Sequence, residues 1–201
     1  IHSNDSITRN GGDIILASGD DGIHSDTLLY SNGGNIDISK SYEGIESSTI
    51  NINDGNIRLV ASDDGLNAAG GNDGSSTNGR PGQNGFSSST GVINITGGYL
   101  YVDAAGDGVD SNGSIEMSGG TVIVNGPENS GNGALDYDTT FNITGGIFIA
   151  AGSSGMAQSP STTSSQNSIN VFINGYANTL VNVTDKSGNE IITFAPSTTF
   201  S

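Results

Sequence analysis

Glycine-containing doublets recur along this chain at a nearly constant spacing, and that spacing constrains the fold more than any other feature. Gly-Gly or Asp-Gly pairs begin at positions 11, 33, 54, 97, 119 and 145, which are separated by 22, 21, 43, 22 and 26 residues. The step of 43 fits one coil plus an insertion, and the step of 26 fits one coil with a looser turn. A fixed period of this length is typical of a solenoid, in which each repeat stacks on the next.

Each doublet opens a segment in which apolar residues alternate with variable ones. In Asp13-Ile14-Ile15-Leu16, as in every later copy, the second and fourth positions are apolar. Such period-two alternation is typical of a half-buried strand. A similar strand precedes most doublets, and a short segment with one apolar residue after Gly, such as Gly22-Ile23, lies between them. Three short strands per coil predict an all-β fold, a right-handed parallel β-helix with about 21–22 residues per coil.

Stacking of the coils would place equivalent inward side chains above one another at the interstrand spacing of about 4.8 Å. The second position of each doublet strand then forms one internal ladder, and the fourth position forms another. The first ladder contains Ile14, Ile36, Ile57, Leu100, Val122 and Phe148, and the second contains Leu16, Ile38, Leu59, Val102, Val124 and Ala150. The glycine doublets allow the positive φ that the corners between strands require.

Composition by itself is close to that of disordered chains, because only 32% of the residues are apolar and the formal net charge is −16. The periodicity therefore carries the prediction of order. So acidic a surface repels phosphate backbones and anionic lipids, so nucleic-acid partners are not expected. Membrane insertion is not expected either, because no apolar run approaches the roughly 18 residues that a span needs. The absence of Cys excludes disulfides, thiol catalysis and zinc–thiolate sites.

The repeat divides the chain into two parts. Residues 1–168 are predicted to form the coils, with an inserted exposed loop at 70–90 where the period breaks. Residues 169–201 contain strand-like alternation at 169–173, 180–184 and 190–194 but lose the coil pattern. They are predicted to form a strand-rich cap or the start of a truncated further element. No signal peptide is recognisable in the sequence.

Acidic residues fall in register at one corner when the coils are aligned on their doublets. Each coil has a glycine between its strands, at Gly22, Gly44, Gly65 and Gly108, which we call the middle Gly. In most coils, oxygen-bearing side chains occupy the two positions directly before the middle Gly and the second position after it. The predicted metal-ligating set is Asp20, Asp21, Glu43, Glu46, Asp63, Asp64, Asn67, Asp107, Asp110, Asp136 and Asp138. His24 occupies the position equivalent to Glu46. Two histidines are too few for a metal cluster built on histidine alone, and His2 is expected to lie in a free tail.

Stacked carboxylates need neutralisation, because two unit charges about 5 Å apart repel by roughly 3 kcal/mol at an effective dielectric near 20. Several such contacts would threaten a fold whose total stability is about 5–15 kcal/mol. A hard cation relieves the repulsion at neutral pH, and Ca²⁺ takes six to eight oxygen ligands. The alternative is a solvated acidic stripe that keeps the surface soluble, since Asp also favours turns for backbone reasons.

Several irregular strings resemble a bacterial extracellular family of carbohydrate-binding domains, over roughly residues 10–200. The strings are Gly-Asp-Asp-Gly-Ile-His-Ser (19–25), Ser-Tyr-Glu-Gly-Ile-Glu (41–46), Asp-Asp-Gly-Leu-Asn-Ala-Ala-Gly-Gly-Asn-Asp (63–73), Gly-Asp-Gly-Val-Asp-Ser-Asn-Gly (106–113), Gly-Asn-Gly-Ala-Leu-Asp-Tyr-Asp (131–138) and Ala-Gly-Ser-Ser-Gly-Met-Ala-Gln (151–158). The resemblance implies a calcium-binding right-handed β-helix similar to family-nine polysaccharide lyases. It also implies a secreted or cell-surface location and association with acidic plant polysaccharides such as pectin, and with cellulose.

The related lyases hold calcium with an Asp-Asp-Xaa-Xaa-Asp corner plus an acid from the preceding coil, and use a Lys as base. The resemblance maps that corner onto three coils of this chain, each with one departure. The first of these coils keeps Asp63 and Asp64 but has Asn67 in place of the last Asp. The second keeps Asp20 and Asp21 but has His24 at that position. The third keeps Asp107 and Asp110 but has Gly106 in place of the first Asp.

Three functions remain open from the sequence. The first is calcium-dependent, non-catalytic binding of acidic polysaccharide, with outward-facing Tyr99 and Tyr101 stacking on sugar rings and Lys40 as a further predicted carbohydrate contact. The second is a calcium-dependent polysaccharide lyase with Lys40 as the base, although the positive charge of this lysine is better suited to offsetting the neighbouring carboxylates. The third is a structural cell-surface or fibre subunit that self-associates end to end through uncapped strands.

Overall fold

The computed structural model describes residues 1–69 and 91–201; the predicted inserted loop at 70–90 lies outside the described residues. These ranges contain strands and turns, and no helix in them is long and apolar enough to cross a membrane. The strands, numbered in chain order, are β1 (His2–Ser3), β2 (Ser6–Arg9), β3 (Asp13–Ala17), β4 (Ile23–Lys40), β5 (Ile45–Ala61), β6 (Leu66–Ala68), β7 (Val92–Ile95), β8 (Tyr99–Ala104), β9 (Val109–Ser111), β10 (Ser114–Met117), β11 (Thr121–Asn125), β12 (Asp136–Tyr137), β13 (Thr140–Ile143), β14 (Ile147–Ala151), β15 (Val181–Thr184) and β16 (Glu190–Phe194).

The first fourteen strands form one parallel sheet that winds into a β-solenoid of about six turns. Neighbouring coils pair residue by residue: Ile14 lies beside Ile36, and Ile36 lies beside Ile57. The long step keeps the same register, since Ile57 pairs with Leu100 on the other side of the 70–90 insertion. The predicted all-β parallel β-helix is therefore confirmed, and each coil adds about one period of the glycine repeat.

The solenoid core consists of the two predicted ladders together with the inward residues of the other two strands of each coil. Ile57, Leu59 and Val102 are completely buried, and the register places every predicted member of both ladders in its column. Burial weakens in the last coil, where Phe148 is half-buried and Ala150 is exposed. Aliphatic stacking thus holds the central coils most firmly, and these coils carry the acidic corner.

Two sets of glycines fit the corners for different reasons. The doublet glycines adopt positive φ, for example 80° at Gly34 and 79° at Gly98, which side chains with a Cβ rarely adopt. The middle glycines of the coils instead lack space: a Cβ on Gly44 would meet the Gly65 carbonyl oxygen at 2.4 Å, and one on Gly65 would meet Val102 Cγ1 at 2.3 Å. These middle glycines directly follow acidic residues, so their close packing sets the position of the acidic corner.

Residues 169–201 leave the parallel sheet. β15 and β16 pair antiparallel in a separate two-stranded sheet, and the strand predicted at 169–173 is wrong, because these residues form no strand. A groove of about 720 Å³ lies between β14 on one side and residues 166–173 with β15 and β16 on the other, and it is lined largely by apolar side chains. The end of the chain returns to the coils, where the Ser197 backbone N–H donates to Asn125 Oδ1 at 2.8 Å and that of Ser201 donates to the Gly152 carbonyl at 3.1 Å.

Candidate metal centre

The acidic corner contains three columns of side chains in register, as the sequence predicts. Backbone hydrogen bonds link each coil to the next at the turn, for example from Gly44 N to Asp64 O and from Gly65 N to Asp107 O, both at 2.9 Å. The first column contains Asp21, Glu43, Asp64 and Asp107; the second contains His24, Glu46, Asn67, Asp110 and Asp136; the third contains Asp20, Tyr42 and Asp63. We call the first two columns together the acidic ridge.

Three carboxylates converge in the central coils. One oxygen each of Asp64, Asp107 and Asp110 lies within 4.8 Å of the others. Backbone donors hold two of them in place: Asp107 N–H donates to Asp64 Oδ1 at 2.6 Å, and Gly133 N–H donates to Asp107 Oδ1 at 2.5 Å. The remaining carboxylate oxygens form a pre-arranged set of hard ligands, which suits a divalent cation with oxygen coordination.

The departure from the lyase-like corner at Gly106 has a steric cause. A Cβ at position 106 would lie 2.4 Å from Asp64 Oδ1 and 2.6 Å from Asp63 Oδ1. Gly106 therefore leaves the space that the carboxylates of the preceding coil occupy. The missing acid at this position makes room for two acids that are present.

Two buried oxygens next to the convergent carboxylates have no hydrogen-bond partner among residues 1–69 and 91–201. Glu43 is 4% exposed and Asn67 is 8% exposed, and Asn67 Nδ2 donates to Glu43 Oε1 at 3.0 Å. The other oxygens of these two side chains, Glu43 Oε2 and Asn67 Oδ1, are the ones that accept no hydrogen bond from the part of the chain that the structure describes. Leaving a buried polar group unsatisfied costs about 1–3 kcal/mol, so two such oxygens in adjacent coils mark a place where a cation would be stabilising.

Burial raises the pKa of the central carboxyl groups. Desolvation, reinforced by the neighbouring acids, raises the pKa of Asp64 to about 7 and that of Asp110 to about 8. Burial likewise raises the pKa of Glu43, Asp107 and Asp136 above their ordinary values. Within the described residues no Lys or Arg forms an ion pair with the ridge, since Arg58 pairs with Asp37 on another face. The carboxylates of the central coils therefore need protons or a metal for their neutralisation.

The metal-free protein is expected to become less stable as the pH rises from about 5 to 9. Asp64 and Asp110 bind protons more tightly in the folded state than in the unfolded state, so their contribution is complete below the ordinary pKa near 3.8 and is lost as the pH passes about 7 and 8. Thermal melting in chelator across this range measures the effect. A melting temperature that rises with pH in that window would contradict these raised pKa values.

One end of the ridge carries its own cation. His24 Nδ1 lies 2.5 Å from Glu46 Oε2 and 3.3 Å from Asp21 Oδ2, and its Nε2 lies 3.1 Å from Asp26 Oδ1. Hydrogen bonds to Asp21 and Glu46 outweigh burial and raise the pKa of His24 to about 11. The pKa of Asp21 is lowered: burial would raise it, but the hydrogen bonds with His24 and Glu46 dominate. Sequence reasoning aligned His24 with the acids but did not anticipate this neutralisation.

His2 is not in a free tail. It belongs to β1, pairs in register with His24, and stacks on the His24 ring with centroids 4.7 Å apart and planes 11° apart. The prediction was wrong because the first strand is only two residues long and carries no alternation that a sequence pattern could reveal. A histidine one period before His24 was the signal that could have placed it.

Asp20, Asp63, Asp136 and Asp138 are the other predicted ligands, and none of them belongs to the three convergent carboxylates. Asp136 extends the second column, accepts from its neighbour Tyr137 N–H at 2.9 Å and also accepts from the Gln158 side chain. Asp20 and Asp138 are exposed, whereas Asp63 is half-buried and holds a hydrogen bond with the Tyr42 side chain; burial, reinforced by that hydrogen bond, raises the Tyr42 pKa. The structure thus places Asp20, Asp63 and Asp138 beside the ridge rather than at its centre.

The predicted carbohydrate contacts lie on the sheet that leads into this corner. Tyr99 and Tyr101 face outward on β8; Tyr99 is 40% exposed, and the Arg58 guanidinium lies 5.3 Å from the centre of the Tyr101 ring. Lys40 is exposed at the end of β4 and forms no ion pair among the described residues. β8 ends at Ala104 and the chain bends at 105–106 before Asp107, so both tyrosines lie on the strand that leads into the acidic corner.

The fold and the site together define a parallel β-solenoid with a ridge of convergent, partly buried oxygen ligands at one corner. The chain matches no family model, and no curated protein or solved structure is significantly similar to it. The function of the protein is therefore inferred from the residues of the acidic ridge.

Proposed function

We propose that this protein is a calcium-dependent, non-catalytic module that binds acidic plant polysaccharide of the pectin or polygalacturonate type at the cell surface. The observation that carries the proposal is the pair of buried, unpartnered oxygens of Glu43 and Asn67 beside the convergent carboxylates of the central coils. A buried set of hard oxygen donors with no Lys or Arg partner among the described residues is suited to Ca²⁺.

The central coils supply the best set of calcium ligands. Asp64, Asp107 and Asp110 would hold the ion, with Glu43 and Asn67 contributing from the neighbouring coils. Every one of these donors is an oxygen, and their number matches the six to eight ligands of calcium once water is included. At the far end, Asp21 and Glu46 already face the His24 ring, so we assign calcium to the central coils.

Calcium also explains how so acidic a protein would bind an acidic polymer. A chain with a net charge of −16 repels polyuronate, whereas a bound calcium ion with open coordination positions can take carboxylate oxygens from both partners. On the strand that leads into this corner, Tyr99 is 40% exposed and presents ring surface for sugars, and Tyr101 lies beside it with the Arg58 guanidinium over its ring. A polymer rather than a single sugar would span the two features.

Retention on immobilised polygalacturonate is expected to require calcium. The wild-type chain should bind in calcium and elute in chelator, and Asp107→Asn should lose retention because it removes a central ligand. Asp13→Asn is the matched control: it removes one exposed carboxylate whose oxygen accepts from Asn35, a contact that the amide oxygen keeps. Equal retention with and without calcium would contradict the proposal.

The same incubation separates the two other predicted functions. Absorbance near 235 nm from unsaturated products, abolished by Lys40→Ala, would indicate a lyase instead. Absence of both retention and products, together with calcium-dependent growth in particle size by sedimentation, would favour an end-to-end structural subunit. For the latter, the free edge of β14 and the apolar groove beside it are the relevant surfaces.

A further inference from the structure

We propose a second metal site of a different chemical class, in which His2, His24 and Asp26 bind a borderline transition-metal dication such as Zn²⁺ at the N-terminal end of the acidic ridge. The proposal is independent of polysaccharide binding and of calcium. It starts from the stacked pair of histidines, which brings two imidazoles and a carboxylate together at the first two coils.

The ligand atoms are already close together. One ligand atom each of His2, His24 and Asp26 lies within 4.8 Å of the others, and His24 Nε2 lies 3.1 Å from Asp26 Oδ1. Zinc binds histidine nitrogen and carboxylate oxygen at about 2.0–2.2 Å in tetrahedral geometry, so neighbouring ligands lie about 3.3–3.6 Å apart. The spacing of His24 and Asp26 is close to that value, and the exposed His2 ring would turn toward them, exchanging the hydrogen bond between its Nε2 and Asn4 Oδ1 for the metal.

The second shell is also in place. Metal-bound histidines usually donate their other ring N–H to a carboxylate, which fixes the tautomer and the ring orientation. Here His24 Nδ1 faces Glu46 Oε2 at 2.5 Å with Asp21 alongside, so this nitrogen keeps its proton and Nε2 is left to face Asp26. His24 is 8% exposed, and its ring is therefore held rigidly, whereas the other two ligands remain accessible to an incoming ion.

Binding replaces the proton on His24 Nε2 with the metal and releases that proton to solvent. The carboxylates of Asp21, Asp26 and Glu46 lie within 3.3 Å of the two ring nitrogens, and their negative charge attracts a dication to this position. Proton release predicts that zinc affinity rises with pH. Calcium does not compete effectively, because imidazole nitrogen is a poor ligand for so hard a cation.

Calorimetric titration of the calcium-saturated full chain with zinc chloride tests the proposal. We expect His2→Ala and Asp26→Asn each to weaken zinc binding by about tenfold or more, with calcium binding unchanged. Asp5→Asn is the matched control in the same coils, because its amide oxygen can still accept the hydrogen bond from Thr27. His2 is exposed, so its replacement leaves the core intact, which a thermal melt verifies.

Cobalt(II) gives a second readout, since its visible absorption reports tetrahedral coordination with nitrogen ligands. The proposal is overturned if wild-type protein binds no zinc, or if His2→Ala binds zinc as tightly as wild type. It is also overturned if zinc binding survives in His2→Ala but is lost in Asp107→Asn, because zinc would then occupy the calcium ligands of the central coils.

Discussion

Calcium at about 100 times its dissociation constant is expected to raise the melting temperature of this protein by about 5–11 °C over that in chelator. Binding at that excess stabilises the folded state by about 2.7 kcal/mol, and for a chain of this size each kcal/mol corresponds to about 2–4 °C. The physical reason is that the proposed ion would neutralise Asp64, Asp107 and Asp110 and would be coordinated by the unpartnered oxygens of Glu43 and Asn67.

Asp110→Asn sharpens this test because its two effects have opposite signs. In chelator at pH 9 the variant should melt higher than wild type, since it removes a buried negative charge whose pKa is raised to about 8. In calcium it should gain less than wild type, because it has lost a ligand. Asp13→Asn, which removes a charge away from the ridge, should respond to calcium like wild type. Identical melting curves in calcium and chelator would refute the metal centre.

Gly65→Ala is expected to destabilise the fold more than its single added methyl group suggests. The new Cβ would lie 2.3 Å from Val102 Cγ1 and 2.4 Å from the Gly108 carbonyl oxygen, so the backbone of the next coil would have to move. Overpacking of this kind costs about 1–3 kcal/mol and occasionally more, which lowers the melting temperature by about 2–4 °C per kcal/mol. Urea denaturation measures the loss.

Gly19→Ala is the matched control for this substitution. A Cβ at position 19 would have no other atom within 4 Å, and Gly19 does not adopt positive φ, so Ala should be accommodated without loss. Gly65→Ala should also weaken calcium binding, because Asp64 immediately precedes the displaced glycine. Equal stability of the two variants would show that the middle glycines do not set the spacing of the coils.

Much of the architecture could be predicted from the sequence because a solenoid converts distance along the chain into position in space. Once the doublets give the period, the stacking of Ile57 on Leu100 and of Asp64 on Asp107 follows from counting. Neither prediction needs any knowledge of side-chain packing. The three columns at the acidic corner are in register for the same reason.

The depth of each acid could not be predicted in that way. Register places Asp20 and Asp21 in neighbouring columns but does not give the depth of either column. The packing of the next coil leaves Asp20 exposed, whereas Glu43, which lies in the same column as Asp21, is buried. The filling of one end of the ridge by His24 depends on side-chain direction, which the repeat does not specify. The separate hairpin of β15 and β16 has no preceding coil to fix its register, so alternation alone could not place it.

The pairing of Ile57 with Leu100 across a 43-residue step has a practical consequence for protein engineering. The coil accommodates 21 more residues between Ala68 and Gly91 than the next coil has between Ser111 and Gly113, and the register is kept, with Asn112 N–H donating to Ala68 O and Ser114 N–H to Gly91 O. Closing a longer excursion costs only about 0.6 kcal/mol for each doubling of its length. The position between Ala68 and Gly91 is therefore suited to grafting, because a foreign peptide or small domain inserted there would lie between two coils whose register is fixed by strand pairing.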